Sequence, residues 1–126
     1  MSFRNPLGRA RGLGSANEGT GHWMAQRISA VALIPLTLWF TVSMLHMTRA
    51  GYPAVSHWLH TPWVAVLLVL LVGSTFYHAC LGLQVVIEDY VHDTWLKMSM
   101  LMLIRFAGIL CAATGIFVVL RAAFGG

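Results

Sequence analysis

Residues 78–90 read HACLGLQVVIEDY, an apolar helical run with one imidazole inside it and an acid and a phenol at its end. On a helix of 3.6 residues per turn, His78, Gly82, Val85 and Asp89 recur on one stripe, leading from apolar surroundings to a polar edge. Eleven residues at about 1.5 Å each put His78 roughly 16 Å from Asp89, close to the middle of a hydrocarbon layer about 30 Å thick. An imidazole at that depth needs a partner, because polar side chains inside a bilayer face the bundle interior, where they pair or carry a function.

The remaining sequence supports a membrane setting. Of 126 residues, 58% are hydrophobic and only 10% charged, too few to give a water-soluble domain its polar shell. The net charge of +4 comes mainly from arginines near the amino end, with no basic stripe of the kind that binds nucleic acid. Cys80 and Cys111 fall inside apolar runs with no CxxC or zinc spacing, and are expected to be small buried hydrophobes.

Working outward, the expected organisation is an aqueous amino-terminal arm over residues 1–21 followed by a three-span membrane domain over 22–126. The arm is rich in glycine and arginine, a composition that cannot pack a core, and is expected to be extended on the cytoplasmic surface. The spans are predicted at about 23–48, 62–87 and 96–120, with Pro35 kinking the first and Asp93 or Thr94 capping the third. Residues 49–61, RAGYPAVSHWLHT, read as an interfacial loop. Arg4, Arg9 and Arg11 precede the first apolar run, as in a secretory signal. However, a polar GSANEGTGH stretch intervenes and no small-residue cleavage site follows, so the run is expected to be retained.

Lys and Arg near the span ends set the expected orientation. Arg4, Arg9, Arg11, Arg27 and Lys97 lie on one side, against Arg49 and Arg121 on the other. The positive-inside rule then puts the amino terminus in the cytoplasm and the carboxyl end outside. Trp23, Tyr90 and Trp95 would form the inner aromatic belt, and Tyr52, Trp58 and Trp63 the outer one.

Six histidines invite a metal reading. His57 and His60 sit in the outer loop at a spacing that is a weak metal signal, and solvated imidazoles there need no role. His46, roughly 28 Å from Arg27 along an unbroken helix, is expected near the outer interface. His78 lies well inside the membrane. Its plain role would be a hydrogen bond to a neighbouring helix. Its functional role would be ligation of a haem iron, with Gly82 one turn away leaving room for a flat macrocycle. Asp89 and Tyr90 could be a solvated acid and a belt aromatic, or a proton route and a hydrogen-bond donor for a quinone head group.

His78, Ala79, Gly82, Asp89 and Tyr90 together spell H-A-x2-G-x6-D-Y at the end of a second span. This resembles the small hydrophobic membrane anchor, of the cytochrome b556 type, of succinate dehydrogenase, respiratory complex II. The likeness extends over all three spans, about one hundred residues. It implies an all-α membrane protein whose three transmembrane helices form part of a larger bundle with a sister anchor subunit. It also implies a four-chain enzyme of the tricarboxylic acid cycle and electron transport, in which a flavoprotein oxidises succinate. An iron–sulfur protein then passes electrons to ubiquinone held by two anchors in the lipid bilayer. The anchor has no succinate-oxidising activity alone.

In that family the histidine matching His78 is one axial ligand of haem b, the other coming from the sister anchor. The residues matching Tyr90 and Asp89 serve ubiquinone, and the arginine matching Arg27 lies by the haem propionates, with His22 a looser match. The family supplies no role for Arg105, which lies about 12 Å beyond Lys97 along the third helix and is expected to snorkel toward an interface. The implied location is a bacterial cytoplasmic (inner) membrane, with the carboxyl terminus periplasmic; a mitochondrial inner membrane is the alternative. Other readings are a fumarate reductase anchor, or a non-redox assembly or transporter-accessory protein in which His78 only joins two helices.

Overall fold

A computed structural model describes residues 6–7 and 16–125 of the chain. Within residues 16–125 four helices follow in order: α1 (Ala16–Met47), α2 (Tyr52–Leu59), α3 (Pro62–Tyr90) and α4 (Thr94–Phe124). No strand is present among the described residues. Three of the helices contain stretches long and apolar enough to cross a membrane, Gly19–Met47, Pro62–Tyr90 and Thr94–Phe124, with mean hydropathies of 2.0, 2.1 and 2.3. The three-span, all-helical architecture is as the sequence predicts.

Three details differ from expectation. Most of the amino-terminal arm, including Arg4, Arg9 and Arg11, lies outside the described residues, but residues 16–21 are helical rather than extended. Once the apolar span has nucleated a helix, each added residue gains a hydrogen bond, and this carries α1 back through Gly19 and Gly21. Secondly, the interfacial loop contains the short helix α2. Pro53 stands in its first turn, where a fixed φ favours helix and the missing N–H would be unpaired anyway. Thirdly, Cys111 is exposed on α4, whereas Cys80 is half-buried; both are free thiols.

Local chemistry explains where the helices begin and end. Asp93 Oδ1 accepts from the Leu96 N–H at 3.0 Å, capping α4. Lys97 Nζ donates to the Glu88 carbonyl at 3.3 Å, placing a cation at the carboxyl end of α3. Helix α1 continues through Pro35. Nearby, Thr37 Oγ1 donates back to the Leu33 carbonyl at 2.6 Å, one of several threonines that satisfy their hydroxyls within their own helix. At the far end of α1, Trp39 stacks on Trp58 of α2 at 5.9 Å and meets Trp63 of α3 at 6.0 Å, tying the connection to both spans.

Helix α3 is the centre, packing on α1 along one face and on α4 along another, while α1 and α4 share at most a marginal contact. The α3–α4 interface is close because α4 presents glycines to it. A Cβ on Gly108 would collide with Cys80 Sγ, and one on Gly115 would stand 2.8 Å from Val72 Cγ1. Small residues at such positions let backbones approach where no hydrophobic force separates helix from lipid. Among the described residues few are buried: Val64, Ala65, Leu68, Ile87 and Ala123 of the apolar ones, and Ser29 of the polar. Most of the apolar surface is left for lipid or for other membrane helices.

Candidate functional site

Three polar residues of α1 fall on one stripe. His22, Gln26 and Ser29 are spaced by four and then three residues, so they project from the same side of the helix. That side faces α3. Ser29 Oγ lies 2.9 Å from His78 Nδ1, and the position a Cβ would take on Gly82 is 3.7 Å from Gln26 Nε2. Moving toward the amino end of α1 therefore matches moving toward the carboxyl end of α3, the register of two antiparallel helices. His22, Gln26, Ser29, His78 and Gly82 form a polar seam in an otherwise apolar pair.

The seam is incompletely satisfied from within. Ser29 is only 6% exposed, and its hydroxyl also donates to the Gln26 carbonyl at 3.0 Å. His22 Nε2 and Gln26 Oε1 are buried without a hydrogen-bond partner. Orphaned buried polar atoms cost free energy, so two on adjacent turns mark a place where a polar guest could complete the packing. One residue on from Gln26 in the chain, the Arg27 guanidinium lies over the Trp23 ring at 5.6 Å. Arg27 itself is exposed and available to an anionic group at this end of α1.

His78 is half-buried, with Nδ1 held by Ser29. Its other ring nitrogen makes no hydrogen bond to a described residue and is the atom that could bind a metal. Among the described residues no three His, Cys, Asp or Glu side chains gather as a metal cluster. A metal on His78 would need its other ligands from a macrocycle and from outside the described residues. The residues fit such a group: an imidazole with one nitrogen anchored, a glycine on the same stripe, two unpaired polar atoms and an arginine at the polar end. The space above Gly82 is bordered by the flexible Gln26 side chain.

Asp89 and Tyr90 are in the last turn of α3, both exposed, with Tyr90 at 79%. The helix does not bring them to His78; they lie about three turns away, at the end where α1 carries His22 and Trp23. His46 and His57 are exposed, and His60 Nδ1 is 2.7 Å from the Ser56 carbonyl. Arg105 has an identifiable partner: Nη2 donates to Gln84 Oε1 at 3.4 Å, and Gln84 Nε2 donates to Glu88 Oε1 at 2.7 Å. Of these three, Arg105 and Gln84 line a pocket of about 440 Å³ between α3 and α4, together with Phe76, Tyr77, Cys80 and Ile109.

Sequence reading did not single out Ser29, Gln26 or Gln84. The four-and-three spacing of His22, Gln26 and Ser29 is the signal that marks Gln26 and Ser29, but the partner of that stripe on α3 depends on interhelical register.

Comparison with known proteins gives this geometry a family. Residues 1–120 match the succinate dehydrogenase/fumarate reductase transmembrane subunit family. The chain is 33% identical over 108 residues, 86% of each chain, to the succinate dehydrogenase hydrophobic membrane anchor subunit of Rickettsia bellii. It is 30% identical over 113 residues to that of Paracoccus denitrificans, covering 90% of this chain and 88% of the relative. With three apolar spans and a family match over nearly its whole length, the chain belongs to the succinate dehydrogenase hydrophobic membrane anchor subunits.

Proposed function

We propose that this anchor subunit contributes one axial ligand, His78, to a haem b shared with a sister anchor, and part of a ubiquinone site through Tyr90 and Asp89. It holds the flavoprotein and iron–sulfur subunits at the membrane, with its amino terminus cytoplasmic and its carboxyl terminus periplasmic. This corresponds to the cytochrome b556-type anchor of a succinate:ubiquinone oxidoreductase. The observation that carries the reading is the His78–Ser29 contact of 2.9 Å, which anchors one ring nitrogen and leaves the other for a ligand.

A haem b held by these residues would supply a one-electron redox centre whose potential follows its ligands and their surroundings. This chain's part is to orient and to balance charge. His78 Nε2 is the ligating atom, Gly82 keeps the stripe free of a side chain, and Arg27, with His22 beside it, offers cationic or donor groups to propionates. At the end of α3, the exposed Tyr90 hydroxyl donates to a quinone carbonyl and orients it. Asp89 accepts a proton from water and hands it to the reduced oxygen, because reducing a quinone to a quinol consumes two electrons and two protons.

The test is His78→Ala in the assembled complex. The variant should lose haem or exchange its ligand, while the soluble subunits still oxidise succinate with an artificial acceptor. Unchanged haem content and spectrum would remove the ligand assignment. Co-purification of a flavoprotein, an iron–sulfur protein and a second hydrophobic chain tests the partners. Succinate-to-quinone against fumarate-from-quinol assays separate this reading from a fumarate reductase, the other activity in the family's name.

A further inference from the structure

Ser29 makes two short contacts with one hydroxyl proton. Its Oγ lies 3.0 Å from the Gln26 carbonyl and 2.9 Å from His78 Nδ1. A carbonyl oxygen cannot donate, so the first contact is a hydrogen bond only if the serine proton points at it. The second is then a hydrogen bond only if Nδ1 carries its own hydrogen and donates to Oγ. The opposite arrangement, with the serine donating to Nδ1, would set two lone pairs against each other at 3.0 Å and put the ring hydrogen on Nε2. Only one assignment satisfies both contacts, and at 6% exposure Ser29 has little access to water that could substitute.

We infer that Ser29 is a positioning residue that holds His78 as the Nδ1–H tautomer, turns its ring and leaves the Nε2 lone pair free for the iron. The inference rests on the haem-ligand reading above. A ligating histidine whose other N–H is hydrogen-bonded is a stronger electron donor, and loss of such an outer partner weakens metal binding about 10-fold or more. The serine is itself polarised by donating to Gln26, which makes its oxygen a better acceptor. Greater donation from the imidazole favours ferric over ferrous iron, so Ser29 lowers the haem potential.

The test uses the whole complex and reads the haem potential by visible spectroscopy, together with the low-spin electron paramagnetic resonance signal. Ser29→Ala should shift the potential to more positive values and move the resonance. Ser29→Thr, which keeps a hydroxyl able to bond a carbonyl on the preceding turn, should restore both. If Ser29→Ala assembles too poorly to titrate, the size-matched Ser29→Cys, whose sulfur is a weak acceptor, is read in its place. Wild-type potential and resonance in the readable variant overturn the inference. His78→Ala separates this from failure of the underlying reading. If that variant loses haem while Ser29→Ala is unchanged, only the role of Ser29 falls. If it keeps a wild-type haem, the ligand assignment falls first.

Discussion

Cys80 Sγ of α3 occupies the space in which a Cβ on Gly108 of α4 would stand, and the same thiol lies 3.5 Å from the Ile104 carbonyl. The two spans therefore touch through a side chain that fits only against a residue with none. Gly108→Ala should destabilise the anchor by about 1–3 kcal/mol through overpacking. Cys80→Ala should relieve most of that cost, since the remaining Cβ would sit at an ordinary contact distance of 3.9 Å. A double-mutant cycle on the thermal stability of the detergent-solubilised complex measures the coupling. Additive effects of the two substitutions would show that the contact is not shared.

Tyr90→Phe removes the proposed quinone donor while leaving the ring at the end of α3. Assembly and haem content should be retained, with quinone reduction falling on the order of 10²-fold. Asp89→Asn should also lower turnover and change its pH profile, because the carboxylate proposed to pass a proton to the quinone is gone. The assignment is lost if Tyr90→Phe reduces quinone normally and haem content falls instead.

The proposed topology rests on the distribution of basic residues about the three spans. Reporters placed before Trp23 and in the Asp93 connection should register cytoplasm, and one at Gly126 the opposite side. A cytoplasmic carboxyl terminus would contradict the proposed orientation, and with it the proposal that an iron–sulfur subunit meets the Tyr90 end of α3.

The sequence by itself determined the three spans, because crossing a bilayer requires apolar length and little else. It also marked the start of α4, since a cap such as Asp93 acts within one turn of its own helix. Helix α2 was not legible, because eight residues between Gly51 and His60 are too short to display a period and read as a Gly/Pro-rich loop. His78, Gly82, Asp89 and Tyr90 could be placed on one helix and at a depth, whereas the Ser29 contact could not. It needs the register between α1 and α3, which neither helix encodes alone. The cysteines make the same point. Cys80 and Cys111 sit in equally apolar runs, yet one meets Gly108 and the other is exposed. In water a buried face is more apolar than an exposed one. In a membrane both are apolar, so which face of each span meets another helix is decided by close packing and by hydrogen bonds between helices, and emerges only in the tertiary structure.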